Sequence, residues 1–387
     1  EVELWYIPRQ VVTIPVVVHV IHNDGELIGV GRNISDAQIQ SQIDVLNEDF
    51  RRLNQDILTV PAPFRGVSVD PLIQFCLAQQ DPNGFPTNGI NRYIYSGSNA
   101  LEISFIDTNI KPQTIWNRDK YLNLWTLEFG GSDIGTLGYA KFPAIGTVDN
   151  DGVVMLFNAF GRVGNLQTNY NLGRTCTHEV GHWLDLKHIW GDENECAADD
   201  DVIDTPLQTA SSSGCNVFPK LEPTNAGCSV VYPGIMFMNY MDYGFHQCRK
   251  MYTYGQLIRM DATLFNQRSS LLTSQGCLPG SYKVVISQVY GGGGNAGATY
   301  NNDYIELYNR GTVAQNLNGW SVQYTSATGP TTGNTWFTTP LPDFTLQPGK
   351  YFLIKCAGSG TNNLPTEDFI STISLSSTTG KVILVNN

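Results

Sequence analysis

At 387 residues, 41% of them hydrophobic and 15% charged, the chain can bury the core of one large domain or of two. A net charge of −12 argues against nucleic acid or an anionic membrane surface as partner, and no apolar run reaches the length of a membrane-spanning helix. Eight cysteines in a chain rich in glycine and poor in lysine point to an exported, disulfide-forming protein.

Residues 1–12 carry no clear pattern and are read as a leader or the remnant of a removed pro-segment. Residues 13–21 (TIPVVVHVI) are β-branched and continuous, which predicts a buried strand with Pro15 near its start. His19 and His22 are strand histidines rather than ligands. Ser35 to Gln38 form a capping box that opens a helix, with Ile39, Ile43, Leu46 and Phe50 on its core face. Further strands are expected over 69–80, 121–127, 135–143 and 151–160. The glycines and Pro143 place 135–143 at a sheet edge. It is an ordinary edge, or the rim on which an extended peptide docks by strand addition. Strand, helix and strands in this order suggest a mixed sheet backed by two helices.

Residues 178–188 (HEVGHWLDLKH) lie on a helix expected to start near Asn171. His178 and His182, four apart, share one helix face and can close on one metal ion; neutral imidazole suits zinc. Glu179 can project beside the metal and take a proton from its water. His188 lies too far along a straight helix. The chain must break near Asp185 and turn back to bring it in as the third ligand. Three histidines leave the fourth zinc position open, as in catalytic sites. The stretch resembles the long zinc signature of the metzincin proteases, HExxHxxGxxH, with Asp185 in the glycine position. Aspartate is among the few residue types that visit the left-handed turn that position needs.

Residues 193–206 hold six carboxylates, which repel one another unless a cation sits among them. Calcium bound by Asp200, Asp204 and Thr205, with Asp201 as a further candidate, is set against a plain solvated acidic loop. Cys196, Cys215, Cys228 and Cys248 cluster in the loops after the helix and favour disulfides over free thiols. The partners of Cys76, Cys176, Cys277 and Cys356 are not readable. Residues 236–243 (MFMNYMDY) resemble the methionine turn beneath the zinc of metzincins, with Met241 as an apolar cushion that does not coordinate. Tyr243, two residues on, can donate a hydrogen bond to the oxyanion forming on a scissile carbonyl. A last long helix from Thr253 presents Leu257, Met260, Leu264 and Leu271 on one face.

Together with residues 173–184, Gly191, Asp192 and residues 204–206, these motifs resemble the pappalysin family of metzincins in its bacterial secreted branch. The likeness runs from about residue 14 to 272. It implies an α+β catalytic domain: a five-stranded twisted mixed sheet and an active-site helix above a horizontal cleft, with an irregular lower part. It implies calcium in the loop after the zinc helix, and disulfides Cys196–Cys228 and Cys215–Cys248. It also suggests a basic residue just after the scissile bond of the substrate.

From 282 onward, short alternating strands are expected over 284–290, 304–308, 320–324, 351–355 and 381–385. The run from Ile286, with the glycines at 291–294, Tyr304 to Asn309 and Leu317 to Trp320, resembles the bacterial lamin-tail domain, an immunoglobulin-like β-sandwich. The four glycines lack the strand, loop and helix context of a phosphate loop and are read as a turn. The expected division is 1–279, catalytic, and 280–387, lamin-tail-like, a domain expected to run beyond Asn387. The functional expectation is a secreted, monomeric zinc endopeptidase acting on proteins and peptides. The alternatives are a surface adhesion protein that uses the fold as a metal-stabilised scaffold, and a zinc enzyme acting on a non-peptide amide.

Overall fold

The computed structural model describes residues 10–193, 196, 199–223, 228, 231–280, 283–311, 313–329, 336–358 and 363–386. The chain divides into two compact units between 280 and 281.

The first unit is built on strand β1 (Val12–His22). Ile14, Val16, Val18 and Val20 enter one apolar core, and Val17 and Ile21 pack on the opposite side. A strand covered on both faces needs no polar alternation, hence its continuous apolar run. One edge of β1 pairs in parallel with β2 (Ile73–Leu77) and then β3 (Ile90–Ile94). The other edge carries β4 (Leu122–Leu127), also parallel. β5 (Gly138–Ala140) and β6 (Val153–Leu156) complete the order β2-β1-β4-β6-β5, with β5 the antiparallel member at the rim. Six strands thus fill five positions, because β2 and β3 share one edge. Val12 and Val18 donate their N–H groups toward that edge, so the missing N–H of Pro15 points the other way. There the β4 ladder begins only at Val16, and no bond is lost.

Several elements are shorter than their sequence patterns. The strand expected over 69–80 starts at Ile73, because Leu72 takes a left-handed backbone (φ 54°) and the Asp70 carboxylate accepts its N–H. The strand expected from 151 ends at Leu156 in a tight turn. Only Gly138–Ala140 pairs within 135–143. β3 has no apolar run; its side chains are half-buried, and that of Ile94 is exposed.

Helix α1 (Asp36–Phe50) packs Ile39, Ile43, Leu46 and Phe50 into the core. Ser35 caps it through the Gln38 N–H, but the reciprocal half of the expected capping box is not made. The Gln38 amide instead donates to the carbonyls of Phe157 and Phe160 and pins the loop after β6. Helix α2 (Arg174–Trp183) is buried along all ten residues. Helix α3 (Tyr254–Ala262) carries the full capping box, Thr253 with Gln256. The single long helix expected here breaks after Ala262 into a wide turn and a 3-10 turn. Leu257, Met260, Leu264 and Leu271 are nevertheless all buried.

The break has an electrostatic counterpart. Arg268 forms a two-bonded ion pair with Asp151 (2.7 and 2.9 Å), donates to the Trp183 carbonyl and lies 3.9 Å over the Trp183 ring. Both charges are nearly solvent-free, so the pair stands only because each is fully engaged.

Below α2 the chain is irregular. Cys196–Cys228 and Cys215–Cys248 bond there, spanning 32 and 33 residues. Each closes a loop worth about 4 kcal/mol in the chain-entropy picture. Cys76–Cys277 ties β2 to the end of the unit, while Cys176 and Cys356 are buried free thiols.

The second unit is all β. Strands β7 (Val284–Tyr290), β8 (Asn302–Asn309), β9 (Gln315–Asn316), β10 (Trp320–Thr325), β11 (Phe337–Pro340), β12 (Thr345–Leu346), β13 (Tyr351–Gly358), β14 (Phe369–Ile370) and β15 (Lys381–Asn386) form three sheets. Their orders are β14-β13-β8-β7, β11-β10-β15 and β12-β9. β8 and β13 alternate buried and half-exposed residues, bringing Ile305, Leu307, Phe352 and Ile354 inward. The glycine run at 291–294 lies in the turn between β7 and β8.

His19 gives the first unit an acid sensitivity. It is fully buried, stacks on Trp125 at 5.0 Å, bonds the Asn123 carbonyl oxygen through Nε2 and receives the Asn91 amide at Nδ1. Burial lowers its pKa to about 4. The unfolded chain protonates His19 near pH 6.5, so the native state loses this contribution as pH falls from there toward 4. Urea midpoints should drop over that interval by up to ~3 kcal/mol equivalent. The H19Q variant should show a flatter profile; an unchanged slope would count against the assignment.

Candidate active site

Gly173 sets the start of α2. Its backbone is left-handed (φ 73°), and a side chain there would press on Gln42 and Val45. The helix therefore begins at Arg174, not near Asn171. Arg174 pairs with Asp56 (2.6 Å) and Asp49 (3.5 Å); Asp49 also accepts from Thr177 and Tyr240. This buried cluster joins α1, α2 and the 236–243 segment.

At the other end of α2 the chain reverses at Asp185, left-handed with φ 72°. The Leu186 N–H reaches back to the Gly181 carbonyl. Arg259 braces the turn from outside, binding both the Asp185 carboxylate and its carbonyl. Six residues after His182, His188 is brought beside the other two. The Nε2 atoms of His178, His182 and His188 lie 3.0, 3.0 and 3.1 Å apart.

These approaches are not hydrogen bonds. Each ring already commits Nδ1 to an oxygen: His178 to the Tyr240 carbonyl (2.7 Å), His182 to the Leu186 carbonyl (2.7 Å), His188 to the Asp192 carboxylate. With the proton on Nδ1, all three Nε2 lone pairs face one point and repel unless a cation lies between them. Three nitrogens on a tetrahedral zinc would sit roughly 3.3 Å apart, close to the spacing found. Burial holds all three imidazoles below their usual pKa, helped at His178 and His182 by repulsion from the neighbouring rings and opposed at His188 by Asp192, which keeps them neutral and able to ligate. Among the described residues no other group of three or more His, Cys, Asp or Glu gathers in this way.

Glu179 is buried, and burial raises its carboxyl to about 8. It makes no hydrogen bond to described residues. It opens into a cavity of about 320 Å³ lined also by Gly138, Thr175, His178, Tyr243 and Arg249. Tyr243 packs 4.8 Å from the His188 ring and 5.5 Å from His178. Met241 is fully buried; a Cβ on Gly181 would meet its sulfur at 2.5 Å. It thus lies against the helix floor. Trp190 stacks on His188 at 4.2 Å.

The acidic loop is partly committed elsewhere. Asp204 accepts from Thr253 Oγ1 (2.6 Å) and the Gly255 N–H (2.9 Å) at the start of α3. Asp201 pairs with Lys187 and Arg259. Asp200 is buried beside Thr205, whose hydroxyl donates to it at 2.8 Å. Glu195 of this loop lies outside the described residues.

Sequence reasoning missed the three Nδ1 acceptors. Two are backbone carbonyls, which carry no residue signature. Asp192 offers a faint signal, a carboxylate four residues beyond the last histidine.

The family described as pregnancy-associated plasma protein-A matches residues 105–265, and the lamin tail domain matches 279–387. An extracellular metalloprotease of Podospora anserina is 31% identical over 272 residues, 68% of this chain and 78% of the relative. Mature mirolysin of Tannerella forsythia, solved with a cleaved peptide, is 42% identical with a TM-score of 0.63; the match covers 69% of this chain and 97% of that one. The chain belongs to the pappalysin family of metalloproteases. An extracellular metalloprotease of Pyricularia oryzae extends the likeness at 34% over 236 residues, 59% of this chain and 67% of that protein. This pappalysin is a secreted zinc metalloendopeptidase followed by a lamin-tail domain, its substrates are peptides, and no described helix is long and apolar enough to cross a membrane.

Asp192→Ala should leave the fold intact and weaken zinc binding about 10- to 100-fold, since the outer partner of a ligating histidine fixes its tautomer. Competition with a chromophoric chelator measures this; unchanged affinity would remove Asp192 from the site.

Proposed function

We propose that His178, His182 and His188 hold the catalytic zinc, with Glu179 as general base and Tyr243 as oxyanion donor. The observation that carries this is the convergence of three Nε2 lone pairs beside a buried carboxylate that makes no hydrogen bond to a described residue. Zinc on these nitrogens supplies Lewis acidity toward the peptide carbonyl and the attacking water. Glu179 takes the proton of that water and passes it to the leaving amine. Burial alone would leave Glu179 too basic, and a neighbouring cation lowers its pKa again. The Tyr243 hydroxyl, with its pKa raised to about 12, remains a donor at neutral pH.

The substrate lies extended along β5 by strand addition. β5 ends the sheet, so its outer edge is unpaired by any described strand, and Gly135 to Gly138 form the rim of the cavity. A side chain on Gly138 would meet Glu179 Cγ at 3.0 Å, a reason for glycine where the rim passes the base. Nothing in the arrangement favours an adhesion scaffold, since base and phenol open into one cavity with the metal site.

Calcium binding at Asp200, Thr205 and neighbouring loop carbonyls is the second part of the reading. Asp200 Oδ2 is buried without a donor among the described residues, and burial, with the Asp199 carboxyl beside it, raises its own carboxyl to about 8. A divalent cation would satisfy both. Asp204 enters this site only by giving up its bonds at α3.

Glu179→Gln should lose about 10²- to 10⁴-fold in kcat on a quenched peptide while keeping one zinc per chain. Tyr243→Phe should lose about 10²-fold in kcat with little change in KM. A fully active E179Q protein would refute the mechanism. For the loop, millimolar calcium should raise the melting temperature of the wild type but not of Asp200→Asn, whereas magnesium should do neither. An equal rise in both proteins would place the ion elsewhere.

A further inference from the structure

The cavity beside Glu179 carries a charge that the zinc chemistry does not use. Arg249 is 3% exposed, yet enters no ion pair with a described residue. Among the described residues its only hydrogen bond is a long one, Nη1 to the Asp242 carbonyl at 3.3 Å, and its buried Nε finds no partner there. The Asp242 carboxylate is occupied by the N–H groups of Ser212 and Tyr243 (both 2.7 Å) and by Gln208 (3.2 Å). A guanidinium withdrawn from water, with Asp242 and Glu179 attracting it only through space, is costly unless something supplies the missing acceptor. Burial lowers its pKa only to about 10, so it stays charged at neutral pH.

The remaining polar wall also donates. The Leu172 N–H donates to His246 Nδ1 at 3.0 Å, which leaves the proton on Nε2 to be given to Thr175 Oγ1 at 2.7 Å. The Thr175 hydroxyl hydrogen, with no acceptor among the described residues, is then free for a ligand in the cavity it lines. Of the described lining residues, Glu179 is the only carboxylate, and it is reserved for the proton. Nothing in this lining suits the basic side chain that the family resemblance suggests.

Resting on the reading of Glu179 as base, we propose that Arg249 makes this cavity a receptor for an acidic side chain on the residue just after the scissile bond. Glu179 delivers its proton to the leaving amine, so the residue bearing that amine lies on the Glu179 side. Its side chain points into the adjoining cavity. There a carboxylate accepts from the free guanidinium nitrogens and from Thr175, and the protease cleaves ahead of Asp or Glu.

The test uses the full zinc-loaded chain and a quenched peptide series that differs only after the scissile bond: Glu, Gln or Lys. The wild type should show kcat/KM for Glu about tenfold or more above Gln, with Lys lowest. R249M should erase the ratio between Glu and Gln, and R249K should keep part of it. The ratio, rather than the rate, is the readout, because Arg249 also acts on Glu179 through space. A wild type that favours Lys, or shows no gain for Glu over Gln, overturns the assignment without recourse to any variant. An acid preference that persists in R249M does the same. Cleavage of none of the series by zinc-bound protein would overturn the endopeptidase reading, and this one with it; cleavage of the Gln peptide separates the two failures.

Discussion

Three imidazole rings turned toward one point are the constraint on which the rest of this molecule depends. Imidazole offers two nitrogens, and only the one without a proton can ligate. Here each proton is held by an oxygen from a different place: the turn after α2, Asp192 a few residues further on, and the methionine-bearing segment. The site is thus a junction of three chain segments, and each must be placed before the lone pairs can meet.

The surrounding structure reads as the means of placing them. The Asp49 cluster locks α2 to α1 and, through the Tyr240 hydroxyl, to the segment whose carbonyl receives His178. Asp151 and Arg268 clamp the far end of α2. Arg259 fixes the reversal at Asp185, where a residue with a side chain takes a backbone that glycine would take freely. Two disulfides close the irregular segment, which has little regular hydrogen bonding of its own. Buried ion pairs contribute little net stability once desolvation is counted, but losing one partner is severe, so these clusters specify position more than they add stability.

In the proposed docking by strand addition, the edge strand and the cavity turn this geometry toward peptides. A sheet that ends at β5 offers unpaired backbone groups beside the base, and glycines there let a chain approach closely. On the proposed reading, specificity falls to what lines the cavity next to Glu179. That wall combines a buried guanidinium, its Nε without a partner among the described residues, with a threonine hydroxyl that already accepts from His246. In the proposed reading, chemistry and selectivity come from different segments: the zinc helix carries the first and the stretch after Tyr243 the second.

The sequence by itself determined the features that periodicity and residue type dictate. Histidines four apart next to a glutamate announce metal and base, the β-branched run at 13–21 announces a strand covered on both faces, and short alternating strands after 284 announce a sandwich. Asp185 marked the turn because few residue types tolerate its backbone. Only the tertiary structure decided the acceptors of the Nδ1 protons, the Cys76–Cys277 bond, the split of one sheet edge between β2 and β3, and the burial of Arg249. Each of these depends on residues far apart in the chain, or on backbone atoms that every residue shares. Local pattern records which side chains want burial or metal; which distant group answers them is set only when the chain closes on itself.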